Sequence, residues 1–169
     1  MEIEIQEYKE QFPAFRDYDP KAAAIAQRLI DATTSRDSRL RVEHIGSSSV
    51  PGCAGKGYID LLVIYPDGLL EAAKLVLSDL GFQRQQSRDP FPEDRPMRVG
   101  SVVVGEVRYP VHAHVVAASS PEVADLLWFR DRLRANPSLQ REYEAEKRRI
   151  LGGKVLDGID YAEQKSTFV

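Results

Sequence analysis

The sequence predicts an α+β domain: a mixed β-sheet flanked by helices, with further helices toward the C-terminal end. Three observations point there. Residues 58–65 are a run of aliphatic and β-branched side chains broken by one charge, Asp60, as expected of a central strand buried on both faces. Residues 99–104 and 107–117, joined by Gly105-Glu106, read as a β-hairpin. Apolar residues at helical spacing recur on either side of these strands, near 20–34, 69–80, 119–135 and 138–151.

Taken in chain order, residues 1–19 read as irregular, with Pro13 and Pro20 as breakers and Tyr8, Phe12, Phe15 and Tyr18 as aromatics that dock on the body. Ala22, Ile25, Ala26, Leu29 and Ile30 then form a helical stripe, and Pro20 suits the first turn, where a missing N–H costs nothing. A short strand is expected near 40–45. The loop 46–57 follows, with four glycines, one proline and three consecutive serines. Pro66-Asp67-Gly68 ends the 58–65 strand; Asp67 is expected to cap the next helix, which stops at Gly81. Residues 87–98, with Pro90, Pro92 and Pro96, read as a long polar loop of the kind that often serves function. Ser119 and Glu122 have capping-box spacing, with Pro121 in the first turn and Val123, Leu126, Leu127 and Leu133 as the buried stripe. Asn136-Pro137 separates this helix from the last long one, which Gly152-Gly153 ends, and residues 158–169 read as a short final helix.

A chain of 169 residues without internal repeat or long linker reads as one domain, residues 1–169. Its 43% hydrophobic and 29% charged residues are ordinary for a globular protein, and a net charge of −3 gives no overall field favouring nucleic acid or an anionic membrane. Nucleic acid is therefore not the expected partner, although a local basic patch stays open. Cys53 is the single cysteine, so no internal disulfide can form. With an acidic start that lacks an apolar run, and no stretch of about 20 apolar residues, the chain reads as cytoplasmic and free of membrane spans.

The chemistry concentrates between Gly46 and Asp60. A tight turn at Gly46 can expose backbone N–H groups, and Ser47 and Ser48 add hydroxyls, a combination that can cradle phosphate. The same residues can also be an ordinary loop. Asp60 is costly to bury unpaired within a strand. It calls either for a Mg²⁺ shared with substrate phosphates or for backbone N–H donors from the preceding loop. His112 and His114 stand two apart on a strand and so share a face; they can be metal ligands, proton donors or phosphate contacts, or partly exposed surface residues. His44 lies two residues before Gly46. Lys56, Arg98, Arg130, Lys147 and Lys165 are the basic candidates, Lys56 being the best placed by sequence to meet a triphosphate, whereas most others, including those of 141–149, suit solvated helix faces. No motif marks Cys53 as a nucleophile.

The stretch 42–52 (VEHIGSSSVPG), with Ala54-Gly55-Lys56 and Tyr58-Ile59-Asp60-Leu61-Leu62-Val63, resembles the GrpB-like family, which also occurs fused to dephospho-coenzyme A kinase. The resemblance continues through residues 112–116 (HAHVV), 129–134 (FRDRLR), Tyr143 with Lys147, and the tail 161–169. It implies a nucleotidyltransferase-type mixed β-sheet, in which a Gly-Ser turn holds nucleotide phosphates and strand carboxylates hold divalent metal. Matched residue by residue, Gly46 and Ser47 fill the turn and Asp60 the first carboxylate position. The second falls on Leu62, and the third on the strand of His112 and His114, where imidazole would replace carboxylate.

The resemblance therefore implies a nucleotidyltransferase-like protein that binds a nucleoside triphosphate and a divalent metal. Asp60 and His114 are the expected catalytic residues, and Asp60, His112 and His114 the metal ligands. Gly46, Ser47, Ser48, Lys56, Arg98 and Arg130 would contact substrate or phosphate. Mg²⁺ is the expected ion, with a transition metal open because imidazole is the softer ligand. The alternative is a catalytically reduced nucleotide- or phosphate-binding module of the same fold, motivated by Leu62.

Overall fold

The computed structural model describes residues 3–11 and 14–152. Helix α1 (Lys21–Arg36) is followed by β1 (Arg41–Ile45), a single 3-10 turn (Ser47–Ser49), β2 (Ile59–Tyr65) and α2 (Leu70–Leu80). Then come β3 (Gln83–Arg84), β4 (Met97–Val104), β5 (Val107–Ala117), α3 (Pro121–Ala135) and α4 (Pro137–Gly152). The five strands form one sheet in the order β1-β2-β5-β4-β3. Only β2 and β5 run parallel; the other neighbours are antiparallel, so the sheet is mixed, as expected.

Alternation along the strands divides the core. On one face Ile59, Leu61 and Val63 of β2, with Val111, Ala113 and Val115 of β5, pack against Ala22, Ile25, Ala26 and Leu29 of α1 and Ala73 and Leu77 of α2. On the other face Ile45, Leu62, Ile64 and Val116 meet Val123, Leu126 and Leu127 of α3. A third cluster joins Val50 and Cys53 of the 46–57 loop to Leu133 and Tyr143 of the two C-terminal helices. Helices α1 and α2, with Ile3 and Ile5 of the N-terminal segment, thus cover one face, and α3 covers the other only over β1, β2 and the far end of β5. The rest of that second face is left for a cavity.

Several local expectations change. Asp67 does not cap α2: the helix begins after Leu69 with no side-chain cap, and Asp67 accepts a hydrogen bond from the Ser119 hydroxyl at 3.0 Å. That same bond takes Ser119 out of the capping box, and Ser120 caps α3 instead, accepting from the Glu122 N–H. The irregular N-terminal segment is better integrated than its sequence suggests. Ile3 and Ile5 are buried in the main core, and Gln6 bridges to Ser101 and Arg16 to Gly55. The two-residue strand β3 has no periodic signal of its own, and β4 starts at Met97, inside the segment expected to be loop. Gly81 does end α2 in the left-handed conformation. Lys165, the tail motif 161–169 and the expected final helix lie outside the described residues. Among the described residues no helix is long and apolar enough to cross a membrane.

Candidate functional site

β1 delivers the chain into the turn at Gly46, and β2 brings Asp60 directly beside it, since Ile45 pairs with Asp60 in the ladder. Gly46 has φ +75° and ψ −179°, a conformation essentially confined to glycine. A β-carbon there would lie 2.5 Å from Asp60 Oδ2, so this glycine is needed both for the backbone and for the carboxylate's place. On the other side of β2, Asp60 pairs with His112 and Leu62 with His114. The four side chains therefore share one face of the sheet, and the two histidines stand on the strand the sequence assigned to the site's other wall.

Asp60, His112 and His114 open into a cavity of about 780 Å³. Ser47, Lys56, Tyr58, Asp60, His112 and His114 line it, and the arm carrying Glu7, Tyr8 and Glu10 and the segment 83–92 form its rim. Its polar chemistry is mixed: Glu7, Glu10, Asp60 and Asp89 are acidic, against Lys56 and Arg84. The Lys56 ammonium sits 4.2 Å from the centre of the Tyr58 ring, a cation–π contact that holds it at the mouth.

Each imidazole is already engaged. The Tyr8 hydroxyl lies 2.9 Å from His112 Nε2, and His112 Nδ1 is 3.7 Å from Asp60 Oδ1. Burial, reinforced by Tyr58 and Glu10, pushes the Tyr8 phenol far above its ordinary range, so it stays protonated. His114 Nδ1 faces an Arg95 N–H at 3.2 Å, and because a guanidinium only donates, that nitrogen must be the acceptor. Phe91 packs edge-on to His114 and under Arg95.

This arrangement bears on the expected divalent metal. Asp60 is the carboxylate beside His112, the Leu62 position is apolar and wholly buried, and one nitrogen of each imidazole, His112 Nε2 and His114 Nδ1, has another neighbour. Among the described residues no group of three His, Cys, Asp or Glu side chains converges to hold an ion. The donor set that the described residues offer here does not fit a resident metal. A Mg²⁺ that arrives with a nucleotide is different, because phosphates supply most of its oxygens and the protein only one or two carboxylates.

The remaining candidates separate. Ser47 faces the cavity, but Ser48 is buried with its hydroxyl 2.9 Å from His44 Nε2. His44 is thereby a structural partner of the turn. Burial, with Arg134 and Arg130 nearby, lowers its pKa to about 4 against the opposing pull of Asp60. Within the turn, the Ser49 and Val50 N–H groups bond to the Gly46 and Ser47 carbonyls. Arg98 pairs in register with Ala113 and so points to the opposite face of the sheet, where Glu93 holds it through two hydrogen bonds of 2.8 and 3.0 Å. Arg130 is pinned by Glu43, Asp131 and the His44 carbonyl and does not line the cavity. Sequence reading missed Arg95, Phe91, Gln83 and the role of the arm. Tyr8 carried a signal as one of the aromatics of the N-terminal segment, and Phe91 and Arg95 only through the 87–98 loop that contains them.

From behind, α4 fixes the loop. Glu144 Oε1 accepts the Ala54 N–H at 2.9 Å, and Lys147 Nζ donates to the Ala54 carbonyl at 2.6 Å.

Residues 2–169 match the profile of the GrpB protein family. The chain belongs to the GrpB family. A UPF0157 protein of Streptomyces coelicolor is 32% identical over 158 residues, covering 90% of this chain and 78% of that protein. The crystal structure of the conserved protein GrpB from Enterococcus faecalis superposes with a TM-score of 0.64 at 22% identity, covering 92% of this chain and 99% of that one. The GLD-2/RNP-8 complex shares the fold more distantly, with a TM-score of 0.51 at 12% identity over 78% of this chain and 54% of that one. The GrpB sheet, with its two covering layers, is therefore a shared architecture, and the chemistry has to be argued from the cavity.

Proposed function

We propose that this GrpB domain is a nucleotide-binding module on a nucleotidyltransferase-type fold whose catalytic equipment is reduced. The observation that carries this reading is Leu62. It occupies the position where the resemblance calls for a second carboxylate, and it is 0% exposed, packed with Ile45, Ile64 and Val116 under α3. A two-metal phosphoryl-transfer site clamps attacking and leaving oxygens with several oxygen ligands, and of the strand positions the resemblance implies only Asp60 carries a carboxylate. Recognition needs less. The Ser47 hydroxyl and Lys56 ammonium suit phosphate oxygens, while Tyr8 and Phe91 offer ring faces and Gln83 and Gln85 polar edges to a base.

The feature that favours turnover instead is Asp60 itself, retained in the cavity with 27% of its side chain accessible and His112 beside it. Titration calorimetry with nucleoside triphosphates, with Mg²⁺ and with chelator, combined with product analysis, separates the two. Binding that survives chelation, with no nucleotidyl transfer to water or added acceptors, is the expected result. Metal-dependent turnover abolished by Asp60→Ala would establish the enzyme reading, and absence of binding to any nucleotide would end both.

A further inference from the structure

Phe91 lines the cavity with 41% of its surface exposed. The segment that carries it, residues 85–96, joins the edge strand β3 to β4. Its backbone is stiff at that ring. Pro90 and Pro92 flank Phe91, and a following proline confines the residue before it to extended conformations. The Phe91 N–H donates to Gln85 Oε1 at 2.9 Å, and the Arg95 N–H to the Pro92 carbonyl at 3.0 Å.

Two ion pairs then fasten the segment on opposite faces of the sheet. Arg98 stands opposite Ala113 and so shares the face packed by α1 and α2. There it donates to Glu93 at 2.8 and 3.0 Å, with Arg84 at 3.5 Å and Lys74 of α2 at 3.7 Å from the same carboxylate. On the cavity face Arg95 bonds to Glu122 of α3 at 2.6 Å and to His114 Nδ1 at 3.2 Å, and its guanidinium covers the Phe91 ring at 4.6 Å. Arg98 is only 6% exposed, so lifting the segment would strand a buried guanidinium. Hydrogen bonds from Arg98, against the opposing effect of burial, hold the Glu93 carboxyl at about 2, and the pair stays charged at neutral pH.

An aromatic ring that is both exposed and immobilised is suited to stacking, because little ordering cost remains when a planar ligand arrives. We infer that Phe91 is the platform on which the ligand's base stacks, and that the Glu93–Arg98 ion pair is the clasp that positions it. The inference rests on the nucleotide-binding reading above and assigns the base end of that ligand, a flat aromatic nitrogen heterocycle. Glu93 lies on the far face of the sheet and acts only through the ring, as a positioning residue.

Calorimetry with a nucleoside triphosphate and with inorganic tripolyphosphate, which has no base, tests both parts on the wild-type protein, Phe91→Leu, Glu93→Gln and the double variant. Phe91→Leu keeps apolar bulk but removes the ring. It should weaken the nucleoside triphosphate by about fivefold to a hundredfold and leave tripolyphosphate unchanged. Glu93→Gln should give a smaller loss with the same selectivity. In the double variant the change at Glu93 should add nothing to the loss from Phe91→Leu, because a loosened clasp has no ring left to misplace. A residue that merely supported the fold would lower both affinities, and its effect would add to that of Phe91→Leu. If Glu93→Gln fails to fold because Arg98 is left buried and unpaired, Glu93→Gln combined with Arg98→Met, which removes both charges, takes its place. Unchanged nucleoside triphosphate affinity in Phe91→Leu, or an equal fall for tripolyphosphate, overturns the platform, and additive losses overturn the clasp. A wild-type protein that binds no phosphate compound instead overturns the nucleotide-binding reading itself.

Discussion

Replacing Gly46 with alanine brings two penalties to bear on one methyl group. The backbone at φ +75°, ψ −179° costs a residue with a β-carbon about 1–3 kcal/mol. The new methyl would also sit 2.5 Å from Asp60 Oδ2 and 3.2 Å from its Cγ, so the carboxylate must swing off its preferred rotamer, at about 0.5–1.5 kcal/mol. Together these predict a loss of about 2–4 kcal/mol, or a fall in Tm of roughly 5–15 °C for a chain of this size. Urea denaturation followed by circular dichroism measures it. A double-mutant cycle isolates the second penalty. With Asp60→Ala the nearest atom to the new methyl becomes the residue 60 β-carbon at 3.3 Å, so Gly46→Ala should cost about 1 kcal/mol less in that background. A Gly46→Ala protein within about 0.5 kcal/mol of wild type, or strictly additive single changes, would refute the claim that glycine is there to seat the carboxylate.

Leu62→Asp restores on paper the missing carboxylate, but it buries an ionisable group among Ile45, Ile64 and Val116; we expect a loss of about 3–5 kcal/mol in denaturant titrations and no gain in Mg²⁺ affinity. A stable variant that acquired metal-dependent nucleotide turnover would contradict the reduced-site reading. His44 predicts a pH dependence. Its folded pKa of about 4 lies below the ordinary 6.5, so between those values the unfolded chain binds more protons and stability falls as pH is lowered. The contribution is fully present above pH 6.5 and amounts to about 2–3 kcal/mol lost by pH 4. His44→Gln should lose correspondingly less stability over that window, and equal slopes for the two proteins would show that His44 does not titrate as its burial requires.

Much of the fold was legible because its signals are local. The run around Asp60, the Gly105-Glu106 turn and the apolar stripe of α1 each report on their own segment. The capping assignments failed for the opposite reason. Ser119 and Asp67 had suitable local spacing, but each found the other across 52 residues, and that bond removed both from their expected caps. β3 is two residues long and exists only because β4 offers it an edge, so no periodicity could announce it. The site divides in the same way. Asp60 was conspicuous because a charge interrupts an apolar run, and the His112–His114 spacing fixed their common face. Arg98, Arg130 and Ser48 carried the right chemistry, but other side chains had already taken them: Glu93 and His44 from the neighbouring stretch of chain, and Glu43 from 87 residues away.

The sequence by itself determined the strands other than β3, the helices α1 to α4, the Gly46-Ser47 turn, and the placing of Asp60, His112 and His114 on strands that could share a face. Periods of two and 3.6 residues, and the special backbone of glycine, are written in a few consecutive residues. Only the tertiary structure decided which charges face the cavity and which are spent elsewhere. It turned Arg98 to the other side of the sheet, closed the arm of Tyr8 over His112, buried Leu62 beneath α3, and brought Lys147 to Gly55 from more than 90 residues away. A side chain's charge is encoded at its own position, but whether that charge meets a partner, a ligand or water depends on which distant segments pack against it.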